Sequence, residues 1–151
     1  MTQNKQHILL TTDFSEESFQ AFAPVNDLAA ALGAKVSLLY VLPSMDHHAT
    51  GTPFVSPVPI PSDEQQLDLA QKDMEKLRER FDASIDLELV ARVGEEIPEV
   101  ILDYADANGV DIIAICTHAR RGLSRLVMGS VVEEVIRNSK VPVYAIPQVK
   151  K

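Results

Sequence analysis

A three-layer αβα sandwich, with five mostly parallel strands between two layers of helices, is the fold class this sequence predicts. Three observations carry that reading. Short apolar runs such as HILLTT, VSLLYV and IIAI recur along the chain, as strands buried on both faces of a parallel sheet require. Stretches with apolar residues at helical spacing separate most of them. Glycines at 33, 94 and 109 mark boundaries between the two patterns. With 151 residues, 46% of them hydrophobic and 24% charged, the chain has room for one sizeable core, so a single domain over residues 1–151 is expected.

The elements follow in order. His7 to Thr12 reads as a buried strand ending at Asp13, with Ser15 placed to cap the next helix. That helix is expected from about Glu16 to Leu32, its apolar stripe made by Phe19, Phe22, Ala23, Leu28, Ala29 and Leu32. Pro24 falls inside it and is expected to remove a hydrogen bond and kink the axis; Gly33 stops it. Lys35 to Val41 is the second strand, parallel to the first through a right-handed crossover. From Leu42 to Pro61 the chain holds five of its nine prolines and reads as a long irregular loop, in which His47 and His48 are solvated rather than metal ligands. Ser62-Asp63-Glu64-Gln65 is a capping box, and Leu67, Ala70, Met74, Leu77 and Phe81 continue a helix from Asp63 to about Phe81. Ile85 to Val93 alternates, with Ile85, Leu87, Leu89, Ala91 and Val93 on one face, which marks an edge strand with a wet side. A helix from Ile97 to Asn108 follows, with Ile97, Val100, Ile101, Tyr104 and Ala105 inward. The fourth strand contains Ile112 to Ile115. Val141 to Ile146 is the last strand, and Pro142 suits an edge or a strand start.

Charge and cysteine content narrow the function. A net charge of −8 argues against a duplex nucleic-acid partner, which needs a basic face. No run is long enough to span a membrane, and the opening MTQNKQHILLTTDF lacks the parts of a signal peptide, so a cytoplasmic protein without membrane contact is expected. The single cysteine, Cys116, suits a reducing compartment and reads as a small buried strand residue. The one local concentration of positive charge is in the stretch DIIAICTHARRGLSRLVMGS. There a buried strand gives way to Arg120, Arg121, Gly122 and Arg125, and Gly129-Ser130 then opens a helix. Helix N-termini leave backbone N–H groups without internal partners and carry the positive end of the dipole, so strand, basic loop and helix start form an anion site suited to phosphate. A solvated arginine loop is the alternative reading of the same residues. Open parallel sheets bind ligands beyond the carboxyl ends of their strands. If the first and fourth strands are neighbours, Asp13 and the loop from Thr117 to Ser130 face one crevice.

These residues together resemble the universal stress protein family. The resemblance rests on ILLTTDFSEES, the strand ending LLYVLP, the segment GEEIPEVILDYADANGVDII, and THARRGLSRLVMGSVVEEVIRNSKVPVYAI. It implies sheet order 3-2-1-4-5 in an adenine-nucleotide α-hydrolase-like fold, and a site for ATP or AMP, with or without Mg²⁺. The family's motif Gly-x-x-Gly, nine residues, Gly-Ser/Thr keeps its last element here as Gly129-Ser130, whereas Cys116 and Ala119 stand where the first two glycines belong. Residue by residue, the resemblance places Asp13, with Thr12 beside it, near ribose and adenine, Val41 against adenine, Thr117 and His118 at the start of the phosphate loop, and Gly129 and Ser130 on the phosphates. Arg120 and Arg121, with Gly122 beyond them, are placed to offset the missing glycines by charge-assisted contacts. The resemblance also implies a homodimer paired through Val141 to Ile146.

The chain carries none of the Gly-x-x-x-x-Gly-Lys-Ser/Thr, Gly-x-Gly-x-x-Gly, Gly-x-Ser-x-Gly or His-Glu-x-x-His signatures. The first functional expectation is therefore a nucleotide-sensing module of the stress response, in which ATP or AMP orders the 117–130 and 43–61 loops and alters a surface that a protein partner reads. A dimeric stress protein that binds no nucleotide and acts through protein contacts is the second. A slow ATPase ranks last, because Asp13 alone is placed to assist phosphoryl transfer.

Overall fold

In the computed structural model, residues 4–44, 61–117 and 129–148 are described. Their strands are β1 (His7–Thr12), β2 (Lys35–Pro43), β3 (Asp86–Gly94), β4 (Ile112–Thr117) and β5 (Val143–Pro147), and all pair in parallel in the order β3-β2-β1-β4-β5. β1 lies in the middle because both its faces are apolar. Ile8, Leu9 and Leu10 are each 0% exposed. Ile8 and Leu10 point into one core with Phe22, Val25, Met74 and Phe81, while Leu9 points into the other with Leu39, Ile101 and Val135. The helices α2 (Phe22–Leu32) and α3 (Asp63–Leu77) cover the first face; α4 (Ile97–Ala107) and α5 (Ser130–Asn138) cover the second. Three layers follow from this alternation.

The first helix departs from its expected form. A short α1 (Glu16–Phe19), capped by Ser15, ends at Gln20, and α2 begins afresh at Phe22. Pro24 does not kink a continuous helix; it is the third residue of α2, where its missing N–H would have had no intrahelical partner. A proline ring would collide with the carbonyl four residues earlier, here Gln20, so the break falls one turn before the proline. Rotation at the break also changes the stripe: Ala21 and Val25 are buried, whereas Ala23 is exposed and Leu32 is 42% exposed.

Elsewhere most expected elements form with small shifts at their ends. The capping box of α3 forms with both reciprocal bonds between Ser62 and Gln65. α3 ends at Leu77 and a 3₁₀ turn, Arg78–Arg80, carries the chain to Phe81, whose ring lies 4.8 Å from that of Phe22. β3 is an edge strand, as its alternation predicts; Leu87, Leu89 and Ala91 pack on the α2–α3 side and Val90 on the α4 side. Val93, expected inward, is 39% exposed, since β3 runs past the end of the core there. β5 begins two residues later than expected. Val141 is held in a turn by Ser139 Oγ, and Pro142 precedes the strand while its carbonyl accepts from Ile113 N at 3.0 Å. Residues 45–60, with His47 and His48, lie outside the described part. No helix among the described residues is long and apolar enough to cross a membrane.

Gly94 fixes where β3 hands over to α4. A Cβ at this position would fall inside the side chain of Val100, and the Gly94 carbonyl accepts from Ser44 N at 2.8 Å. Val100 is β-branched and stiff in a helix, so it yields little. Gly94→Ala is expected to lower stability by about 1–3 kcal/mol in urea unfolding, and Val100→Ala added to it to restore part of the loss.

Candidate functional site

The sheet order reverses at β1: the chain fills the β2 and β3 positions on one side of it and then the β4 and β5 positions on the other. At the carboxyl ends of β1 and β4, connections leaving in opposite directions cannot fill the space between them. A cavity of about 140 Å³ opens there. Leu39 and Val41 of β2, Ile115 of β4, Ile97 and Ile101 of α4, and Val131 and Val132 of α5 make its apolar walls. Thr11, Thr12, Asp13, Ser18 and Cys116 make its polar side.

Local hydrogen bonding holds the turn that carries Asp13. Phe14 N donates to Thr12 Oγ1 at 3.1 Å, Thr12 Oγ1 lies 2.8 Å from Ser18 Oγ, and Ser18 Oγ donates to Ser15 O at 2.8 Å. Because the Ser18 hydrogen goes to the Ser15 carbonyl, the Thr12 hydroxyl is the donor to Ser18. Thr12 and Ser18 thus present only acceptor lone pairs to the cavity. Asp13 Oδ1 accepts from Ser15 N at 2.9 Å and from Ser15 Oγ, while the residue itself is exposed at the mouth. Phe14 adopts φ 65°, a left-handed conformation that costs a residue with a side chain roughly 1–2 kcal/mol. Its ring, 4.6 Å from that of Tyr40, offsets part of that cost.

The electrostatics follow from one carboxylate beside apolar walls. Burial pushes the Cys116 thiol above its ordinary value, and the charges of Asp13 and Glu17 push it further. Burial likewise raises the Tyr40 phenol, with Asp13 adding to it. The Cys116 thiol therefore stays protonated at neutral pH and donates to Glu17 O at 3.1 Å, tying β4 to α1. It is 3% exposed and is a buried strand residue, as its sequence context predicts.

Of the residues singled out by sequence, the structure gathers Thr12, Asp13 and Val41 around this cavity together with Cys116. Thr117 ends β4, with its hydroxyl donating to Ile146 O at 3.4 Å. Gly129 is the N-cap of α5 and Ser130 its first residue, so the N-cap residue has no side chain with which to cap the helix. Gly129 has φ −55°, which any residue adopts, and among the described residues, its chain neighbours aside, no atom lies within 4 Å of where its Cβ would be. The first turn of α5 reaches the cavity through Val131 and Val132. His118, Arg120, Arg121 and Gly122, with Ala119, lie outside the described residues. Sequence reasoning missed Ser18, Leu39, Ile97, Ile101, Ile115, Val131 and Val132 as lining. Strand alternation from Val41 and the i, i+4 spacing of Ile97 and Ile101 signal some of these; nothing local signals that Ser18 meets Thr12.

Comparison with known proteins agrees with the fold. A universal stress protein of Methanocaldococcus jannaschii is 28% identical over 148 residues, covering 95% of this chain and 83% of that protein. The structure of the universal stress protein UspA from Lactobacillus plantarum superposes with a TM-score of 0.71 at 25% identity, covering 95% of this chain and 99% of that one. A universal stress protein from Archaeoglobus fulgidus, solved in complex with dAMP, shares the fold with a TM-score of 0.60 at 21% identity, covering 94% of this chain and 97% of that one. The profile of the universal stress protein family matches residues 5–147, and the chain belongs to that family.

Proposed function

We propose that this chain is a cytoplasmic stress-response module that binds an adenine nucleotide, ATP or AMP, in the cavity at the ends of β1 and β4. The observation that carries the proposal is the convergence on one cavity of an apolar wall, an acceptor carboxylate and a helix start whose N-cap is glycine. Val41, Leu39 and Ile101 offer a surface for a flat base, and Asp13 accepts from ribose hydroxyls or the adenine amino group. The first turn of α5 offers backbone N–H groups to phosphate, and the space beside Gly129 lets phosphate oxygens approach its backbone. Ser130 adds a hydroxyl there, and Arg120 and Arg121 add positive charge, with Mg²⁺ as an optional further counter-charge. The dAMP complex of the Archaeoglobus fulgidus relative supports the ligand class. In this reading occupancy of the cavity is the signal, and a protein partner reads it.

A second copy of the chain completes the module. β5 is an edge strand, and Tyr144 on it is 41% exposed, so antiparallel pairing with its twin through the Val141–Ile146 stretch satisfies the open edge.

Titration with ATP and AMP, with and without Mg²⁺, is expected to raise the melting temperature. Ligand at a hundred times its Kd stabilises by about 2.7 kcal/mol. Asp13→Ala combined with Ser130→Ala should abolish the shift; a flat melting temperature for the natural chain at millimolar nucleotide overturns the proposal. Cys116→Gly should separate two quantities: unfolding stability falls, because a buried side chain and its bond to Glu17 O are lost, while nucleotide affinity rises because the cavity gains room. On a sizing column the chain should run at twice its 16.6 kDa, and Tyr144→Lys should shift it toward monomer.

A further inference from the structure

At the end of β1 away from the cavity lies a second polar assembly, distinct from the nucleotide site. His7, the first residue of β1, is 8% exposed, and Ser37 beside it on β2 is fully buried. His7 Nδ1 is 3.2 Å from the Asn108 carbonyl oxygen, and Nε2 is 2.7 Å from Ser37 Oγ. Ser37 Oγ lies 3.3 Å from Glu88 Oε2 on β3, and the Tyr104 hydroxyl of α4 donates to it at 3.4 Å. Lys35 Nζ is 2.7 Å from the same Glu88 oxygen. One continuous path thus runs from the buried imidazole on β1, through β2, to a half-exposed carboxylate on the edge strand.

The hydrogens available decide what this path does. A carbonyl only accepts, so Nδ1 carries a hydrogen in either charge state. Ser37 has one hydroxyl hydrogen and two acceptors within reach. With neutral imidazole, Nε2 is a lone pair and takes that hydrogen, leaving the Ser37 and Glu88 oxygens facing each other with none between them. With imidazolium, Nε2–H donates to Ser37 Oγ and the hydroxyl is released to Glu88. Only the second arrangement places a hydrogen in every contact around Ser37.

We propose that His7, Ser37 and Glu88 form a proton-driven clasp, in which protonation of His7 turns the Ser37 hydroxyl onto the Glu88 carboxylate and fastens edge strand β3 to the centre of the sheet. The charged and titratable groups around His7 are Lys5 on its own segment, Lys35 on β2, Asp86 and Glu88 on β3, Tyr104 on α4, and Asp111 before β4. Lys5 pairs with Asp86 at 3.4 Å, Lys35 with Glu88, and Asp111 Oδ2 accepts from the His7 backbone N–H at 2.8 Å. The Arg92 guanidinium of β3 lies 5.7 Å from the centroid of the Tyr104 ring, on the same network. The Lys35 hydrogen bond holds the Glu88 carboxyl below its ordinary range, against a smaller opposing effect of burial. Glu88 is therefore ionised in the band where the clasp works, and the charge state of the His7 ring sets the switch. A carboxyl lowered in this way stabilises the fold above its unfolded value and ceases to as pH falls through its folded one, so the clasp works in a band bounded on the acid side by Glu88.

The test follows the ring ¹⁵N signals of His7, assigned by comparison with His7→Gln, the Glu88 carboxyl ¹³C signal, and amide exchange of Leu89 and Val90. As the solution is acidified, loss of the Nε2 lone-pair signature and movement of the Glu88 signal should share one midpoint. Exchange in β3, corrected for its intrinsic pH dependence, should slow roughly three- to tenfold, the worth of one net hydrogen bond. In Ser37→Ala, the Glu88 signal and β3 exchange should cease to follow the His7 ring signals. Should that variant fail to fold, Glu88→Gln, whose side chain is half-exposed, should abolish the change in β3 exchange. A Glu88 signal indifferent to His7, or slowing that persists in either variant, overturns the clasp.

Discussion

The constraint on which this structure depends is the burial of β1 from both sides and both edges. Ile8, Leu9 and Leu10 have no exposed surface, and parallel neighbours occupy both edges, β2 along the whole strand and β4 beside residues 8–10. A strand so enclosed must carry apolar residues wherever it is covered, and its polar residues are confined to the two ends. His7 begins it, and Thr12 with Asp13 ends it. The polar groups around the cavity and those around Ser37 grow from those two ends, which is why they lie far apart on the same strand.

At the carboxyl end the enclosure creates a difficulty that the turn solves. β1 has to leave a sheet paired on both sides, in a short reversal toward α1, without burying unpaired backbone groups. Thr12 Oγ1 takes the Phe14 N–H, Asp13 takes the Ser15 N–H, and Ser15 caps α1. The reversal forces Phe14 into left-handed φ, and the tilted contact of its ring with Tyr40 holds it there. The outcome is a rigid ledge that presents one carboxylate at the mouth of an apolar cavity. Rigidity matters to binding, because a ledge already ordered by its own hydrogen bonds loses little entropy when a ligand arrives.

How much of this the sequence reveals depends on the range of the interaction. Features set within a few residues are legible: the Ser15 cap, the Ser62–Gln65 box, the stop at Gly33, and the one-sided alternation that marks β3 as an edge. The strand order is not carried by local pattern; it comes from the resemblance to a family. Pro24 shows where a correct local rule misplaces its effect, for the clash acts on the residue four positions earlier and the helix breaks there. The site divides in the same way. Asp13 and Val41 stand at strand ends and are visible, whereas Ser18 gains its role from Thr12, and Val131 and Val132 gain theirs from the way α5 packs against α4. Phe14 gives no warning of left-handed φ, since aromatic residues seldom adopt it and only the closure of the turn requires it.

Cys116 links the cavity to α1. At this position the family motif has glycine, and here a side chain fills part of the cavity and anchors β4 to α1 through Glu17 O. The same thiol feels Asp13 and Glu17 as like charges that oppose its ionisation, so it adds bulk without adding negative charge. For a phosphate ligand this distinction decides the consequence of the substitution. A thiolate at this point would repel the ligand at long range, whereas a neutral thiol acts only by its volume. Burial next to two carboxylates thus turns a reactive residue into a steric one, and among the described lining residues the acidic side chain at the cavity is Asp13.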